Sequence, residues 1–294
     1  MDVFQIITER IIEKLESGTV PWHKPWRSIG APRNFVSKKL YRGINIWLLT
    51  TRGYTSPYWA TIRQINELSG RVRKGEKSTP VVYWRVYVDG VEVKVNSDQQ
   101  EPGHEQEEGQ GRRRFVLRYY SIFNTEQCEL PASVSEKLAF PEQRQLDPIE
   151  ACEKIRAGMP NPPEIVHAGD QAFYSPITDR ITMPPCGLFE NAEEYWSTFW
   201  HEAGHACGHR KRLNRDSIME AAPFGSAIYS AEEVIAEMTA AYLCGITGIE
   251  NRTIDNSAAY IVGWLKQLRD HSKLIIHAAA QAQRACDYML NIKA

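Results

Sequence analysis

The 294-residue sequence has no long hydrophobic run, no paired-cysteine motif and almost no net charge. No stretch of about 18 apolar residues occurs, which argues against a membrane-spanning helix. The six cysteines are scattered without a C-x-x-C pair, so we expect neither a disulfide framework nor a thiolate zinc site. The early acidic residues Asp2, Glu9 and Glu13 argue against a secretory signal. We therefore expect a cytoplasmic protein without a membrane partner.

The net charge of −1 conceals an uneven distribution of charge along the chain. Residues 1–90 contain 15 Lys/Arg against 7 Asp/Glu, and five of the eight tryptophans lie before residue 85. Residues 141–294 contain 14 Lys/Arg against 20 Asp/Glu. A basic, aromatic first third and an acidic last half predict two domains, which we place at residues 1–130 and 131–294. A single domain with unevenly placed charges is the alternative.

The first domain is predicted to be mixed α/β. Apolar residues recur at helical spacing near the start, and a run rich in strand formers meets an Asp-Gly turn. The predicted elements are a helix over residues 4–15, a helix over 59–68, a hairpin of strands 81–88 and 91–95, a disordered hairpin tip over 97–112 and a strand over 115–123.

The second domain is predicted to be mainly helical with a small sheet, which makes the whole chain α+β. Asn191 and Glu194 predict the start of a helix that runs to Cys207, and Ser230 with Glu233 resembles a capping box for a helix that runs to Leu243. Before these helices, two short strands are expected around residues 176–179. Two further helices are expected over residues 257–269 and 274–292.

The strongest motif in the chain is His201-Glu202-Ala203-Gly204-His205. On a helix, residues i and i+4 share a face, so both imidazoles can reach one metal ion. Glu202 would then lie beside the ion, where a carboxylate can take a proton from an attacking water. The motif therefore predicts a catalytic divalent metal site with Glu202 as its base. A surface helix with two ordinary histidines is the alternative.

A third metal ligand is needed, since two histidines alone bind a catalytic ion weakly. A third histidine is missing from the extended motif, because Lys211 occupies its position. A glutamate from the later helix remains, and we favour Glu233 as the ligand over Glu237. The other carboxylate would then orient a ligating imidazole, while Glu232 is expected to be exposed. With nitrogen and oxygen ligands, Zn²⁺ is the expected ion and Mn²⁺ the alternative.

A strand over residues 180–183 precedes the metal helix and could bind an extended peptide if it lay at the edge of a sheet. Tyr174, Tyr229 and His209 are candidates to assist catalysis near such a cleft. Ordinary packing is the more expected role for each of these three side chains.

Aromatic and basic residues alternate in the first domain. Single-stranded nucleic acid is bound by this combination, because rings stack on bases and cations follow phosphates. The alternative is that the tryptophans form the core and that the basic residues between positions 71 and 77 lie in a solvated loop. The candidate DNA-binding residues are Trp22, Lys24, Trp26, Arg42, Arg71, Arg73, Lys74 and Lys77.

Taken together, these motifs resemble the ArdC-type antirestriction proteins of conjugative plasmids, over nearly the whole chain. The resemblance rests on segments from both predicted domains. These include PWHKPW (21–26), NFVSKKLYRGIN (34–45), GRVRKGEKSTPVVYW (70–84), FYSPITDRITMP (173–184), HEAGHACGHRKRLNR (201–215) and YSAEEVIAEMTAAYLC (229–244).

The resemblance implies a single-stranded DNA-binding domain followed by a zincin-like metallopeptidase domain of the gluzincin type. It implies that the protein protects incoming plasmid DNA from host restriction, and a monomer is expected. Two alternatives stay open. The chain could be a DNA-directed metalloprotease that cleaves a host or DNA-bound protein, or a binding protein whose metal domain is only structural.

Overall fold

The structure is a computed structural model that describes residues 2–18, 20–22, 30–93, 113–136, 147–219, 227–249 and 257–292. It divides into two compact units, the first formed by residues 1–7 and 29–141 and the second by residues 8–28 and 142–293. The overall α+β fold class is confirmed. The hairpin tip expected at residues 97–112 lies outside the described residues.

The first helix, α1 (Val3–Glu16), belongs to the second unit from Thr8 onward, so the division differs from the border expected after residue 130. The Thr8 hydroxyl donates to the carbonyl oxygen of Ser272 at 2.6 Å, and Glu16 forms an ion pair with Arg269. In each of these two pairs, the residues are more than 250 positions apart in the sequence. Local sequence composition therefore could not assign the helix to its unit.

A five-stranded sheet with the strand order β1-β2-β6-β4-β5 forms the centre of the first unit. β1 and β2 are parallel and the other neighbours are antiparallel. The sheet strands are β1 (Arg33–Asn34), β2 (Tyr58–Ala60), β4 (Thr79–Val88), β5 (Val91–Val93) and β6 (Arg113–Asn124). The remaining elements are α2 (Ile44–Thr50), α3 (Ile62–Glu67), β3 (Arg71–Val72), β7 (Cys128–Glu129) and α4 (Ala132–Ser135).

The predicted β4–β5 hairpin is confirmed. Asp89 and Gly90 connect the two strands with φ angles of 49° and 83°. Two consecutive positive φ angles are typical of the tight turns whose twist matches that of the flanking strands. Strand β4 continues on its other side into a ten-residue antiparallel pairing with β6.

The helix predicted over residues 59–68 is wrong in its first part. Residues 58–60 form strand β2, and Trp59 is buried in a core cluster with Tyr41, Leu49, Val81 and Ile122. The helix α3 begins only after Thr61, whose hydroxyl accepts a hydrogen bond from the Gln64 backbone N–H. A short apolar run is ambiguous between strand and helix, and here burial within the sheet decided the outcome.

The second unit contains a three-stranded sheet and a group of helices. The strands are β8 (Glu164–His167), β9 (Phe173–Ser175) and β10 (Arg180–Met183). The helices are α5 (Pro148–Gly158), α6 (Ala192–Cys207), α7 (Asp216–Met219), α8 (Ala227–Thr247), α9 (Ser257–Asp270) and α10 (Leu274–Met289). Strand β10 lies between β8 and β9, so residues 180–183 do not meet the condition for peptide binding, which was a position at the edge of the sheet.

Helix α6 starts as predicted, because the Asn191 side chain accepts a hydrogen bond from the backbone N–H of Glu194 at 2.9 Å. Helix α8 does not start at the predicted position, because it begins at Ala227 and Ser230 lies inside it. The capping box predicted for Ser230 and Glu233 is therefore wrong, because both residues lie within the helix rather than at its start. From residue 234 to 244 every side chain of α8 is buried, as expected for a helix surrounded by others.

Among the residues that the structure describes, every helix is too short or too polar to cross a bilayer. All six cysteines lie in the described residues, and none of them is part of a disulfide bond.

Candidate metal centre

Helix α6 presents His201 and His205 on one face, one turn apart, as their spacing predicts. Their Nε2 atoms lie 3.2 Å from each other. The side chains are 14% and 13% exposed, so they are recessed and still reachable from solvent. The two imidazoles are thus oriented toward one common point.

Helix α8 brings Glu233 to the same point. Its Oε2 atom lies 3.5 Å from Nε2 of His201, and its Oε1 atom lies 3.6 Å from Nε2 of His205. Two ligands of a four-coordinate ion with bonds of about 2.1 Å are separated by about 3.4 Å. The three side chains therefore fit the edges of a small metal coordination polyhedron, and their ligand atoms lie within 4.8 Å of one another.

Close packing of α6 on α8 makes this geometry possible. A Cβ atom placed on Gly204 would lie 3.1 Å from Cα of Ala236 and 3.2 Å from Cβ of Thr239. Both distances are tighter than ordinary carbon contacts, so glycine allows the two helix backbones to approach here. Gly204 lies in the middle of the motif, between the two histidines.

Glu237 lies on the far side of His201, with its Oε1 atom 3.5 Å from Nδ1 of the imidazole. This is the position of a carboxylate that orients a ligating imidazole, the role that the sequence analysis gave to the glutamate that is not the ligand. Burial lowers the pKa of His201, but Glu233, Glu237 and Glu202 outweigh burial and raise the pKa to about 10. The carboxylates thus make the site strongly attractive to positive charge.

Glu232 is buried, contrary to the expectation that it would be exposed. Its Oε1 atom lies 3.3 Å from Nδ1 of His205, and it accepts hydrogen bonds from Arg215 and Ser217. Burial raises the pKa of Glu232, but Arg215 and His205 outweigh it and lower the pKa to about 2. A buried carboxylate therefore stays charged beneath His205.

Glu232 and Arg215 are the residues that sequence reasoning missed. Both are about as buried as the apolar core, at 4% and 6% exposure. The available signal was the apolar composition of α8 on all its faces, which leaves no solvent side on which Glu232 could lie. A buried acid next to a candidate ligand then requires a cationic partner.

Glu202 is 8% exposed and follows His201 on α6. Its charge acts on His201, as the pKa of that imidazole shows. The structure therefore brings together His201, His205 and Glu233 as possible ligands, with Glu202 and Glu237 beside them.

Two of the side chains considered as catalytic helpers, Tyr174 and His209, lie in a network around Asp179. Asp179 accepts hydrogen bonds from the Tyr174 hydroxyl at 3.0 Å and from Arg212, and its Oδ2 atom lies 3.6 Å from Nδ1 of His209. His209 is 3% exposed, and burial lowers its pKa. Packing therefore accounts for Tyr174 and His209. The side chain of Tyr229 lies outside the described residues.

The candidate DNA-binding residues are dispersed in the structure. Trp22 is fully buried and packs against Trp264 with ring centroids 5.3 Å apart, so its ring has no face open for a base. The proposed stacking role of Trp22 is corrected to a core role on this ground. Lys24 and Trp26 lie outside the described residues, and Arg42 is half-buried.

The other four basic candidates lie together on β3 and the segment that follows it. Arg71 pairs with Glu129, and Arg73 donates to the Glu126 carbonyl oxygen and lies 3.9 Å from Glu76. Lys74 and Lys77 are exposed. We refer to residues 71–77 as the basic turn.

Two families match the chain, one in each half. The family described as the N-terminal domain of anti-restriction factor ArdC matches residues 1–123, and the family described as zincin-like metallopeptidase matches residues 158–281. The second match contains the His201, His205 and Glu233 group.

Similar proteins extend over the full chain. An uncharacterized protein, y4eC, of Sinorhizobium fredii is 33% identical over 98% of this chain and 91% of its own length. A DNA primase TraC of Escherichia coli is 35% identical over 97% of this chain, which spans only 20% of that longer protein.

Two solved structures are similar along their whole length. The metal-free structure of the antirestriction ArdC protein from the R388 plasmid is 34% identical, with a TM-score of 0.74 over 98% of this chain and 97% of that one. The Mn(II)-bound structure of the same protein has a TM-score of 0.72 at 33% identity, over 99% of this chain and 98% of that one. At this identity and coverage, the likeness extends to both halves and to their order.

Proposed function

The chain belongs to the ArdC family of antirestriction proteins, and we propose that it binds single-stranded DNA and protects incoming conjugative plasmid DNA from restriction in the recipient cell. The observation that carries this proposal is the full-length likeness to the antirestriction protein of the R388 plasmid. Similarity over both halves of the chain supports a shared function. Similarity of the zincin-like half alone would show only a shared fold.

The basic character of the first part of the chain supports a nucleic-acid partner. The basic turn exposes Lys74 and Lys77 to solvent, and residues 1–90 carry a clear excess of Lys/Arg over Asp/Glu. Cations of this kind follow a phosphate backbone without reading its sequence. Non-specific recognition suits a protein that has to act on whatever DNA enters the cell.

The test is fluorescence anisotropy of a labelled single-stranded oligonucleotide with the full-length protein at several salt concentrations. We expect binding that weakens steeply as salt rises, and weaker binding to the matching duplex. Transfer of a plasmid into restricting and non-restricting recipients, with and without the protein, measures protection. Equal transfer into the restricting recipient in both cases would contradict the antirestriction proposal for this chain.

We further propose that His201, His205 and Glu233 hold a divalent ion, Zn²⁺ first and Mn²⁺ second. The support is the fit of the three donors and the excess of carboxylates around His201. Such an ion polarises a carbonyl group and makes a bound water more acidic. Glu237 and Glu232 would orient the two imidazoles, and Glu202 could accept the proton of an attacking water.

Cleavage of a host or DNA-bound protein is the second candidate function. The specific observation in its favour is that a buried carboxylate, Glu202, accompanies a complete donor set, which a purely structural site would not require. Strand β9 is an edge of its sheet and packs against α6, so an extended peptide could pair there rather than at β10.

Glu202→Gln tests this second candidate. If protection needs proteolysis, the variant keeps its fold and its metal but loses protection, while the surface variant Glu164→Gln retains it. Full protection of the plasmid by the Glu202→Gln variant would show that protection does not require proteolysis. A chelator that lowers the melting temperature without changing DNA affinity would then indicate a structural metal.

A further inference from the structure

One face of the sheet of the first unit carries tyrosines and arginines side by side. Residues paired directly across β4 and β6 share a face of the sheet. Tyr83 pairs with Arg118, Tyr87 with Arg114, and Tyr120 lies next along β6 on the same side, opposite Val81. With Arg85 between the two β4 tyrosines, the members of this tyrosine–arginine face are Tyr83, Arg85, Tyr87, Arg114, Arg118 and Tyr120.

We propose that single-stranded DNA lies across the tyrosine–arginine face, with its bases stacked on the tyrosine rings and its phosphates beside the arginines. The inference rests on the proposed function and adds the surface that performs it. It also differs from the sequence-based assignment, which placed stacking on the tryptophans near residue 22.

Several members of the tyrosine–arginine face are accessible to solvent. Arg114, Arg118 and Tyr120 are exposed, and Tyr83 and Tyr87 are half-buried. The opposite face of the same two strands is partly buried, although Arg113 and Tyr119 on it are exposed. There Val86 and Leu117 are 4% and 6% exposed, and Trp84 packs against Phe4 with ring centroids 5.9 Å apart. The tyrosine–arginine face is itself covered at one end, where Val81 and Ile122 are fully buried. Its exposed part therefore extends from Tyr120 and Tyr83 toward Tyr87 and Arg114.

Rings and cations contact one another on this face. The Tyr83 and Tyr120 rings meet at a centroid distance of 5.6 Å, and Arg85 Nε lies 3.3 Å from the Tyr83 hydroxyl. The Arg85 guanidinium also lies 5.8 Å from the centre of the Tyr83 ring. Side chains held by such contacts lose little conformational entropy when a ligand binds, which favours binding.

The face carries more positive than negative charge. Arg85 lies 3.2 Å from Glu92, which is the acidic residue opposite Tyr87 on β5. Arg114 and Arg118 therefore give the face a surplus of positive charge. They are four residues apart on one strand, which is about 14 Å, so they can contact separate phosphates of one backbone.

Single strands fit this face better than a duplex. Bases in a duplex stack on one another and offer no open faces to side chains, whereas a single strand can present each base to an aromatic ring. A sheet surface with exposed rings and flanking cations is a known physical solution for single-stranded nucleic acid. The basic turn lacks aromatic residues, and two of its cations already contact Glu129 and Glu126.

The alternation of the strands supplies matched controls for an experiment. Arg113 pairs with Val88 and Tyr119 pairs with Val82, so both lie on the opposite face from Arg114 and Tyr120. Arg113 is exposed, and Tyr119 is 49% exposed. Substitutions there change the same residue types on the same strand without touching the tyrosine–arginine face.

The test measures anisotropy of a labelled single-stranded oligonucleotide with full-length variants whose folding is checked by thermal melting. We expect Arg114→Ala combined with Arg118→Ala to weaken binding about 10-fold or more and to reduce the salt slope by about 1.4, since each lost phosphate contact contributes about 0.7. We expect Tyr87→Leu to weaken binding about 5-fold or more with an unchanged slope, and Tyr87→Phe to bind like the wild type. The controls Arg113→Ala and Tyr119→Leu should stay within about twofold of the wild type.

The outcomes separate this inference from the proposed function. If the wild type binds single strands and the face variants bind as tightly as their controls, the proposed location of the DNA on the tyrosine–arginine face is wrong. The proposal that the protein binds single-stranded DNA is then still supported. Equal losses in face and control variants would also overturn the proposed location, because no single face would then be responsible. If the wild type binds no single strand at any salt concentration, both proposals are wrong.

Discussion

The Glu232 Oε1 atom lies 3.3 Å from Nδ1 of His205, so a buried carboxylate supports one of the two histidines of the candidate metal centre. The same carboxylate is neutralised by Arg215, whose side chain is 5% exposed and also donates to the Gly204 carbonyl oxygen. Helix α8 therefore contributes two carboxylates to the site. Glu233 lies near the Nε2 atoms of both imidazoles, and Glu232 lies near Nδ1 of His205.

Substitution of Glu232 is expected to weaken metal binding. In Glu232→Gln, the imidazole of His205 loses its anionic partner and Arg215 loses its counter-charge. We expect the affinity for Zn²⁺ to fall about 10- to 100-fold, as measured by competition with a chromogenic chelator. Glu164→Gln is the control, because it removes the same charge from a surface pair with Arg180. Equal affinities for the two variants would show that Glu232 does not position His205.

Enlarging Gly204 is expected to separate α6 from α8. The added methyl group of Gly204→Ala would press on Ala236 and Thr239, so we expect a loss of about 1–3 kcal/mol in unfolding free energy. The metal affinity should fall as well, because the histidines and Glu233 are on the two helices that move apart. Gly187→Ala is the control, since a Cβ atom there meets nothing within 4 Å. Urea denaturation and metal titration of both variants check the prediction, which fails if Gly204→Ala matches Gly187→Ala.

Acid is expected to weaken the network around Asp179. Burial would raise the pKa of Asp179, but hydrogen bonds from Arg212 and Tyr174 outweigh it and lower the pKa to about 2. A carboxylate with a depressed folded-state pKa stabilises the fold above its unfolded pKa of about 3.9, and this contribution is lost as the pH falls toward 2. The stability difference between the wild type and Asp179→Asn should therefore be largest above pH 5 and shrink below pH 4.

Urea denaturation of both proteins at a series of pH values measures this difference. Asparagine is a suitable replacement because Asp179 has a φ of 50°, a conformation that asparagine tolerates. Asp170→Asn, at an exposed position in the same region of the chain, is the control for the loss of one carboxylate. A stability difference that stayed constant from pH 7 to pH 3 would contradict the assignment.

Truncation of Trp22 is expected to affect stability and not DNA binding. The ring is fully buried against Trp264, so Trp22→Ala should cost about 3–5 kcal/mol in unfolding free energy. Its affinity for single-stranded DNA, measured at a temperature where the variant remains folded, should equal that of the wild type. A folded variant with clearly weakened DNA binding would restore the stacking role that sequence reasoning gave to this residue.

Local sequence alone was enough to predict the features that depend only on residues close together in the chain. The HExxH spacing places two histidines on one helix face, Asn191 caps that helix, and Asp89-Gly90 closes a hairpin. Each of these features depends on residues within a few positions of one another. Backbone geometry connects such residues directly, whatever surrounds them.

Other features were decided only by the tertiary structure. Strand β10 is central because β8, which the sequence analysis did not find, pairs with it. Trp22 is buried because α9 provides Trp264, and Glu232 is buried and charged because Arg215 reaches it from another segment. Burial and pairing depend on residues far apart in the chain, and their free energies belong to the assembled core rather than to any short window of sequence.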